Sequence, residues 1–477
     1  MEVQIVSIEN IKPSSPTPQN LKIFKLSLLD QLIQAPYAPM VLFYSKNDLM
    51  TNNVDHQTHK RLAVLKKSLS ETLTRFYPLA GKIKDDLSIE CNDEGAYYVE
   101  TRVNCCLDEF LNQPDIVLLV NKFFPCEPIL KESNVGTYVT NIQVNVFECG
   151  GIALGLCISH KILDGAAQST FLKAWTTTAR GGGVINPNFI ANSLFPTKDL
   201  WLRDSMMAIW GSLFKMGKCV TRRFVFDASA IEALKAHIVK SPTRVETISA
   251  FIWKSAMAAF RTKHGSERPS LMTHLVNLRT RMATATFSST EHSTGNLLWL
   301  AAAYNEPQNY KETELHELVG KVRDAISEFD SDFVKGLIKS EEGDKNMILS
   351  ESLRKFGEMG CREGVDYLGF TSWCKLGFYE MDFGWGKPIW VSCMSMSGGS
   401  LVLNLVVLVE TRVGDGLEAW MTLDEQYMAI LESDPEFLRF ASVDPSPLAI
   451  GRDCSIEKVY NAAGCAMHTI APEVFPL

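Results

Sequence analysis

One segment of the sequence, IALGLCIS at residues 152–159, is almost entirely apolar. An apolar run of this length, bounded by turn residues, is typical of a buried strand. The run follows a Gly-Gly turn, ends at His160 and leads through a short loop into an amphipathic helix. The apolar side of that helix carries Phe171, Leu172, Trp175 and Ala179. We therefore predict a strand, loop and helix unit whose loop opens at the end of a buried strand.

Helical and strand patterns alternate in both halves of the chain. Apolar residues recur at helical spacing over 62–76, and apolar and polar residues alternate over 141–146 as in a half-buried strand. After the glycine run at 181–183 and a stretch rich in polar residues and proline, the pattern starts again. The further predicted elements are a strand at 220–226, helices near 228–240 and 246–262, a strand at 296–304 and an amphipathic helix at 315–329. This alternation predicts two α/β domains, with a site in the cleft between them.

A chain of 477 residues is several times the usual size of one hydrophobic core, which also favours two domains. The predicted parts are an N-terminal domain at 1–190, a linker at 191–220, a C-terminal domain at 221–450 and a C-terminal extension at 451–477. Within the second domain, strands at 389–396 and 401–410 flank SGGS and are predicted to form a hairpin.

Composition argues against several partners and locations. Lys and Arg number 47 and Asp and Glu number 55, a net charge of −8 that disfavours nucleic acid and anionic membranes as partners. The N-terminal sequence lacks the pattern of a secretory signal, and the apolar run at 401–409 is too short for a membrane span. The 12 cysteines form no CxxC pair, which favours free thiols in a reducing compartment. We expect a cytoplasmic monomer.

The hexapeptide HKILDG at residues 160–165 lies where the buried strand ends and a helix is about to begin. A strand terminus holds a side chain rigidly while its tip reaches a crevice, and imidazole accepts a proton near neutral pH. His160 is therefore a candidate general base. Asp164 has two available roles, because it can accept a hydrogen bond that orients the loop or pair with an arginine.

Other chemistries find less support in the sequence. His160 and Asp164 are two ligands, and no further His or Cys cluster supplies a third ligand for zinc. The chain has no GxSxG, GxGxxG or P-loop motif, which disfavours serine hydrolase, nicotinamide and nucleoside triphosphate chemistry. Cys157 is interpreted as a packing residue inside the strand. An ordinary surface loop with an Asp-Gly turn is the alternative for HKILDG.

A second motif, DFGWG, occupies residues 382–386. Kinases use DFG to hold magnesium, but the chain has no glycine-rich loop, no VAIK-type lysine and no HRD, so we reject a kinase. Gly384 and Gly386 on either side of Trp385 indicate a tight backbone conformation with an aromatic ring packed beside it. The motif is therefore interpreted first as structural, and Asp382 is kept as a candidate catalytic residue.

Together, HKILDG and DFGWG resemble the two defining motifs, HxxxD and DFGWG, of the plant BAHD acyltransferases. YPLAG at 77–81 and AFIWK at 250–254 are similar to further segments of that family. The beginning of the chain, KPSSPTPQNLKIFKLSLLDQL, resembles the alkaloid O-acetyltransferase branch. Two features depart from the family pattern: Lys82 stands where arginine usually follows YPLAG, and the chain continues past the usual end near residue 450.

The resemblance implies a chloramphenicol acetyltransferase-like fold, with two similar-sized α/β domains, mixed sheets, flanking helices and an active-site channel at the domain interface. It implies that His160 is the base and that Asp164 points away from substrate to pair with an arginine, for which NLRTR supplies the matching position. Asp382 and the tryptophan of its motif are implied to shape the channel from a distance. The residues expected to support the site structurally are Arg279, Gly165, Gly384, Trp385 and Gly386.

The resemblance also implies the substrates. The malonyl-transferring branch carries YFGNC where this chain has STGNLLW at 293–299, so we expect acetyl-CoA as a co-substrate, with no resident cofactor and no metal. The expected acceptor is a hydroxyl of a bulky plant metabolite, with an alkaloid alcohol as first choice and a terpenoid or phenolic alcohol as second. Two alternatives stay open: a condensation-type or hydrolytic enzyme that uses a similar HxxxDG, and a non-catalytic ligand-binding protein of the same fold.

Overall fold

The computed structural model describes residues 1–450, apart from 34–36, 47–53, 128–134, 214, 237, 240, 284–289, 291, 308–312, 399–400 and 403. The predicted C-terminal extension at 451–477 lies outside the described residues. Among the residues that are described, none of the helices combines the length and the apolar character that a bilayer span requires.

Strands and helices alternate along the described chain. The strands are β1 (Val3–Ile11), β2 (Ile23–Lys25), β3 (Tyr37–Tyr44), β4 (Lys82–Asp85), β5 (Ser88–Glu90), β6 (Ala96–Val103), β7 (Thr140–Phe147), β8 (Ile152–Ser159), β9 (Lys215–Met216), β10 (Cys219–Phe226), β11 (Ser270–Asn277), β12 (Leu298–Asn305), β13 (Asp366–Ser372), β14 (Trp390–Ser392), β15 (Leu401–Val402), β16 (Leu405–Glu410), β17 (Leu417–Asp424) and β18 (Ser442–Val443). The helices are α1 (Val54–Arg75), α2 (Leu107–Leu111), α3 (Ile116–Leu119), α4 (Gly165–Ala179), α5 (Ile190–Leu194), α6 (Trp201–Leu213), α7 (Ala228–Lys235), α8 (Arg244–His264), α9 (Arg279–Ala283), α10 (Leu315–Ser327), α11 (Ser331–Lys339), α12 (Glu342–Gly360), α13 (Glu425–Leu431) and α14 (Pro435–Leu438). Short 3-10 turns lie at Gln19–Leu21, Leu28–Leu32, Tyr77–Ala80, Val120–Phe123 and Phe378–Glu380.

Two large mixed sheets organise the described part of the chain. The first has the strand order β1-β6-β7-β8-β3-β14, and the second has the order β12-β11-β13-β16-β17-β10-β18. Both are mixed, because β6 pairs parallel with β7 and β13 pairs parallel with β11 and β16, while the other neighbours run antiparallel. Each sheet belongs to its own hydrophobic core. The structure thus confirms the predicted fold class.

The apolar segment at residues 152–159 forms β8 and is buried along its whole length. Packing around it is tight at Gly155, where a Cβ atom would come within 1.9 Å of the carbonyl oxygen of Phe123. A side chain at this position therefore requires the backbone to move. The strand is held rigidly on both sides, and its end is a fixed point from which His160 projects.

The two halves exchange segments. β14, from the C-terminal half, pairs antiparallel with β3 of the first sheet, with Trp390 opposite Phe43. In the other direction, the 3-10 turn Leu28–Leu32 packs into the second core, and the Leu28 amide donates to the Phe195 carbonyl over 2.7 Å. Each core therefore contains chain from both halves, which fixes one half against the other.

The exchange overturns one predicted element. The segments flanking SGGS do not form a hairpin, because β14 pairs with β3 whereas β16 lies between β13 and β17 in the other sheet. The alternating apolar pattern is the same in both cases, and tertiary packing chooses the partner strand. The predicted linker contains α5 and α6, which pack into the second core. The division into two domains stays a prediction.

Candidate active site

His160 follows directly on β8, and its side chain is half-buried. Two backbone bridges join this region to the C-terminal half: Leu163 pairs with Gly295, and Asn188 pairs with Ser293. The loop after β8 therefore meets the segment before β12 at the contact between the two halves. His160 lies where chain from both halves converges.

The imidazole of His160 faces the side chain of Asn296. The Nδ1 atom of His160 lies 3.2 Å from the Oδ1 atom of Asn296. The Nδ2 atom of Asn296 donates to the backbone carbonyl of His160 over 2.7 Å. One amide thus contacts both the ring and the backbone of the same histidine.

Behind Asn296 lies the carboxylate of Asp30, in the 3-10 turn Leu28–Leu32. Its Oδ1 atom accepts from both the backbone nitrogen and the Nδ2 atom of Asn296, over 2.8 and 2.9 Å. Its Oδ2 atom accepts from the backbone nitrogen and the hydroxyl of Ser27, over 2.7 and 2.8 Å. Asp30 is 3% exposed and Asn296 is fully buried. All four groups that face the carboxylate are donors.

Burial sets the proton affinity of both groups. It lowers the pKa of His160 below its ordinary value of 6.5, and the histidine's own backbone, the charge of Asp164 and the contact with Asn296 act against that fall. Burial raises the pKa of Asp30, and the hydrogen bonds from Asn296 and Ser27 act against that rise. A lowered pKa keeps the His160 imidazole neutral at physiological pH, which is the form that can accept a proton.

Asp164 is the N-cap of α4 and does not contact the His160 ring. Its Oδ1 atom accepts from the backbone nitrogen of Ala167 over 2.9 Å, which satisfies a free amide of the first helical turn. Its Oδ2 atom accepts from the Nη1 atom of Arg279 over 2.7 Å and from the backbone nitrogen of Leu297 over 3.0 Å. The geometry therefore contains the pair of Asp164 and Arg279 that the resemblance implies.

Arg279 also binds the segment before β12. Its Nε atom donates to the Ser293 carbonyl over 3.1 Å, and its Nη2 atom donates to the Gly295 carbonyl over 2.8 Å. Arg279 is 8% exposed, and its guanidinium group thereby fixes the backbone just before Asn296. Arg279 and Asp164 link the loop of His160 to the segment that carries its partner.

Gly165 begins α4 in a crowded place. A Cβ atom there would lie 3.0 Å from the Leu376 side chain and 3.6 Å from the ring of Trp373. The glycine allows the start of the helix to approach the segment after β13. Its role as structural support stays a proposal.

The DFGWG motif forms a separate loop. The Oδ1 atom of Asp382 accepts from the backbone nitrogens of Gly384 and Gly386, over 2.7 and 3.0 Å, and both glycines have left-handed φ values of 104° and 109°. The carbonyl of Asp382 accepts from the guanidinium group of Arg180 at the end of α4. Its side chain organises its own loop, and these contacts do not include His160.

Aromatic rings attach this loop to the first core. Phe383 stacks on Trp385, with 5.5 Å between ring centroids, and meets Trp175 of α4 edge to face at 5.0 Å. Arg61 of α1 lies 5.5 Å from the Trp385 ring centroid. The loop thus braces α4, the helix that Asp164 caps, from its far end. The structure places Asp164 and Arg279 together with His160, and it places Asp382, Gly384, Trp385 and Gly386 elsewhere.

Asn296 and Asp30 are the site residues that sequence reasoning missed. Asn296 lies in STGNLLW, the segment compared with YFGNC, and that comparison addresses only the acyl donor. Asp30 is an acidic residue inside the apolar run LSLLDQL, a pattern that indicates a buried carboxylate with partners elsewhere in the fold. Within the described ranges, no group of three His, Cys, Asp or Glu side chains is arranged to hold a metal ion.

Comparison with known proteins gives consistent matches over nearly the whole chain. The sequence profile of the Transferase family matches residues 1–438. Limonoid 7-O-acetyltransferase from Citrus sinensis is 43% identical over 466 residues, which covers 94% of this chain and 100% of that protein. The crystal structure of vinorine synthase, an enzyme of Rauvolfia serpentina, superposes with a TM-score of 0.74 at 32% identity and covers 92% of this chain and 99% of its own.

A more distant structure shows how widely the fold occurs. F. sporotrichioides TRI101, in complex with coenzyme A and T-2, superposes with a TM-score of 0.68 at 17% identity, over 89% of this chain and 100% of its own. At that identity the likeness is one of fold alone. The profile match and the identity to the limonoid enzyme, both nearly full-length, establish that the chain belongs to the Transferase family, the BAHD acyltransferases, and is an acyltransferase.

Proposed function

We propose that this acyltransferase transfers the acetyl group of acetyl-CoA to a hydroxyl of a polycyclic plant metabolite, with His160 as the general base. The observation that carries the proposal is the contact between the Nδ1 atom of His160 and the Oδ1 atom of Asn296 at the junction of the two halves. With Nδ1 engaged, the other ring nitrogen is the one available to a substrate. The family membership supplies the reaction class.

The chemistry follows from the weakness of an alcohol as a nucleophile at neutral pH. As the hydroxyl oxygen attacks the thioester carbonyl, the Nε2 atom of His160 accepts the hydroxyl proton, a role worth roughly 10²- to 10⁴-fold in rate. The tetrahedral intermediate collapses with cleavage of the C–S bond, and the imidazolium returns the proton to the departing CoA thiolate. The products are the ester and free CoA. The base works directly on the acceptor, so donor and acceptor bind together and no acyl-enzyme forms.

Asp164 acts in this proposal by position. It caps α4 and pairs with Arg279, so it holds the loop that follows His160 without touching substrate. Asp382 acts at a greater distance, because it shapes the loop that braces the other end of the same helix. Gly384, Trp385 and Gly386 belong to that loop.

A limonoid-type terpenoid alcohol is the acceptor best supported, and an alkaloid alcohol is second. This reverses the order expected from the N-terminal segment. The relative that is 43% identical over 466 residues is named for the acetylation of a limonoid at its 7-hydroxyl, whereas vinorine synthase, of the alkaloid branch that the N-terminal segment resembles, is 35% identical over 439 residues. An acetyl donor agrees with that name and with the absence of YFGNC. Coenzyme A in the TRI101 complex supports a CoA thioester as co-substrate for this fold.

The proposal is tested with the full chain, three donors and two acceptor classes. Acetyl-, malonyl- and benzoyl-CoA are each offered with limonoid 7-alcohols and alkaloid alcohols, and products are identified by mass spectrometry. We expect acetyl esters, initial-rate lines that intersect when both substrates are varied, and equal rates with and without EDTA. A clear malonyl preference, parallel lines or loss of activity on chelation each contradicts one named step.

Hydrolysis of acetyl-CoA is the competing reaction, and a control without acceptor distinguishes it from acetyl transfer. The enzyme is incubated with acetyl-CoA alone, and free thiol is followed over time. Thiol release at the rate seen with acceptor would make water the nucleophile and overturn the transfer. Binding of CoA without turnover on any acceptor would favour a non-catalytic protein.

We also propose that the protein is a cytoplasmic monomer. The support for the compartment is the set of free cysteines in the described chain, which includes Cys91, Cys105, Cys106, Cys149, Cys157, Cys374 and Cys393. Free thiols of this number agree with a reducing compartment. Size-exclusion chromatography with light scattering and cell fractionation test the two parts separately.

A further inference from the structure

We propose that Asp30 and Asn296 are positioning residues that hold the His160 side chain with its proton on Nδ1 and its lone pair on Nε2. The inference rests on the proposed function, since it assigns a role to groups behind the base. Neither residue lies in HKILDG or DFGWG. The pair occupies the place at which a catalytic triad has a carboxylate, but an amide stands between the acid and the imidazole.

The Asn296 amide has one orientation that satisfies its neighbours. Its nitrogen atom has two acceptors, the Oδ1 atom of Asp30 at 2.9 Å and the carbonyl of His160 at 2.7 Å. An NH₂ group donates two protons, so both are used. A rotated amide would place its oxygen against two acceptors and leave its donors facing elsewhere. The orientation is therefore fixed, and the oxygen faces the ring.

The orientation of the Asn296 amide determines the tautomer of His160. The Oδ1 atom of Asn296 is an acceptor only, so the Nδ1 atom, 3.2 Å away, has to carry the proton. In the neutral ring the other nitrogen, Nε2, then holds the lone pair. This is the nitrogen that the proposed reaction needs as a base. The wrong tautomer would present an N–H group to the hydroxyl of the acceptor.

Asp30 is required to keep the Asn296 amide in this orientation. A free Asn296 side chain can rotate and exchange its oxygen and nitrogen positions. Asp30 prevents this, because one of its oxygens binds both the backbone and the side-chain nitrogen of Asn296, and Ser27 holds the other oxygen with two donors. A carboxylate surrounded by donors accepts all of them when it is ionised.

Other charged groups near His160 do not supply this role. Asp164 raises the pKa of His160 by its charge, but its oxygens are bound to Arg279 and to backbone nitrogens. Lys161, the next residue, turns to Asp86 at 2.7 Å. The backbone carbonyl of His160 also accepts from its own ring, and the Nδ2 atom of Asn296 donates to that same carbonyl. Asn296, with Asp30 behind it, therefore contacts the ring directly and also holds the second acceptor in place.

The test uses two variants and a matched control. Asn296→Ala removes the acceptor, and Asp30→Asn keeps the size of the side chain but places a donor among donors. Asn305→Ala is the control, because Asn305 is a buried amide of the same half that binds Thr313 and Met257. All are measured as the full chain, with melting temperature recorded first.

The first readout is the tautomer, which does not depend on turnover. In protein labelled with ¹⁵N-histidine, the His160 ring is assigned by its loss in His160→Gln and measured at a pH where the ring is neutral. We expect a proton on Nδ1 in the parent and in Asn305→Ala, and a mixture in Asn296→Ala and Asp30→Asn. An unchanged Nδ1–H signal in both site variants would overturn the inference.

The second readout is kinetic. We expect kcat to fall about 10- to 100-fold in Asn296→Ala, as for other groups that orient a functional side chain, with KM for both substrates little changed. The acidic limb of the kcat/KM profile should move to lower pH, because loss of the acceptor lowers the pKa of His160 further. Parent-like kcat and pH limb in both variants would remove the role of the pair. If instead His160→Gln stays active, the proposed function fails, whatever the tautomer.

Discussion

Replacement of Arg279 by alanine should destabilise the protein by about 3 kcal/mol and slow the reaction. Arg279 is 8% exposed, and its guanidinium group donates to Asp164, to the Ser293 carbonyl and to the Gly295 carbonyl. Loss of one partner from a buried ion pair costs about 3–5 kcal/mol, because it leaves a buried charge. Asp164 keeps hydrogen bonds from two backbone nitrogens, which places the expected value at the lower end of that range.

A double-mutant cycle measures the pair itself. Asp164→Ala should cost about 3 kcal/mol, of which about 1 kcal/mol is the lost helix cap. In the double variant neither charge is left alone, so the two effects should fall short of adding by about 2–3 kcal/mol. The free energies come from equilibrium urea unfolding of the parent, the two single variants and the double variant.

The control is a surface ion pair. Arg261 lies 3.1 Å from Glu267, but its side chain is 45% exposed, so Arg261→Ala should cost less than about 1 kcal/mol. Additive effects of the Arg279 and Asp164 changes, within about 0.5 kcal/mol, would refute the assignment of a coupled pair. Full activity in Arg279→Ala would further show that the site does not depend on the segment that Arg279 holds.

Three further outcomes follow from the geometry. Asp382→Ala should lose about 1–3 kcal/mol of stability together with activity, since two loop hydrogen bonds disappear. Asp382→Asn keeps an acceptor and should lose less stability. An inactive Asp382→Ala variant that melts like the parent would give Asp382 a chemical role. The acidic limb of the pH profile of kcat/KM should lie below pH 6.5, because burial lowers the pKa of His160. Activity is lost only when falling pH protonates the base. An acidic limb above pH 6.5 would contradict this prediction. Gly155→Ala should reduce soluble yield, or lower stability by more than about 1 kcal/mol, since its Cβ would meet the Phe123 carbonyl at 1.9 Å. Gly183→Ala, in open space, should have neither effect. Equal behaviour of the two variants in thermal melts would contradict the tight packing at Gly155.

Local elements were predictable where one pattern permits one structure. The run at 152–159 is β8, and the amphipathic pattern at 315–329 is α10, Leu315–Ser327. Periodicity suffices for these, because the burial of each element follows from its own residues. The strand at 220–226 likewise appears as β10, Cys219–Phe226.

Pairing across the chain was not predictable in the same way. The segment at 389–396 has the pattern of a strand, but its partner β3 lies more than 300 residues earlier, with Trp390 opposite Phe43. Alternation of apolar residues states which face is buried and not which strand lies beside it. The local SGGS turn therefore indicated a hairpin that long-range packing replaces.

The site divides along the same line. His160 and Asp164 are visible because strand end, loop and helix cap are contiguous in the sequence, and Arg279 came from resemblance alone. Asp30 and Asn296 contribute single side chains from distant segments, and only the fold brings the two within 2.8 Å. A polar residue in an apolar run indicates that a buried partner exists, but it does not name the partner.

Removal of the acceptor's proton by His160 is tested by the turnover of His160→Ala with acetyl-CoA and an acceptor established for the parent. The variant is first shown to melt like the parent and to bind CoA with parent-like affinity by calorimetry. We predict that kcat falls at least about a hundredfold, in line with loss of a general base. A folded, CoA-binding His160→Ala protein that turns over within a few-fold of the parent would show that His160 is not the base.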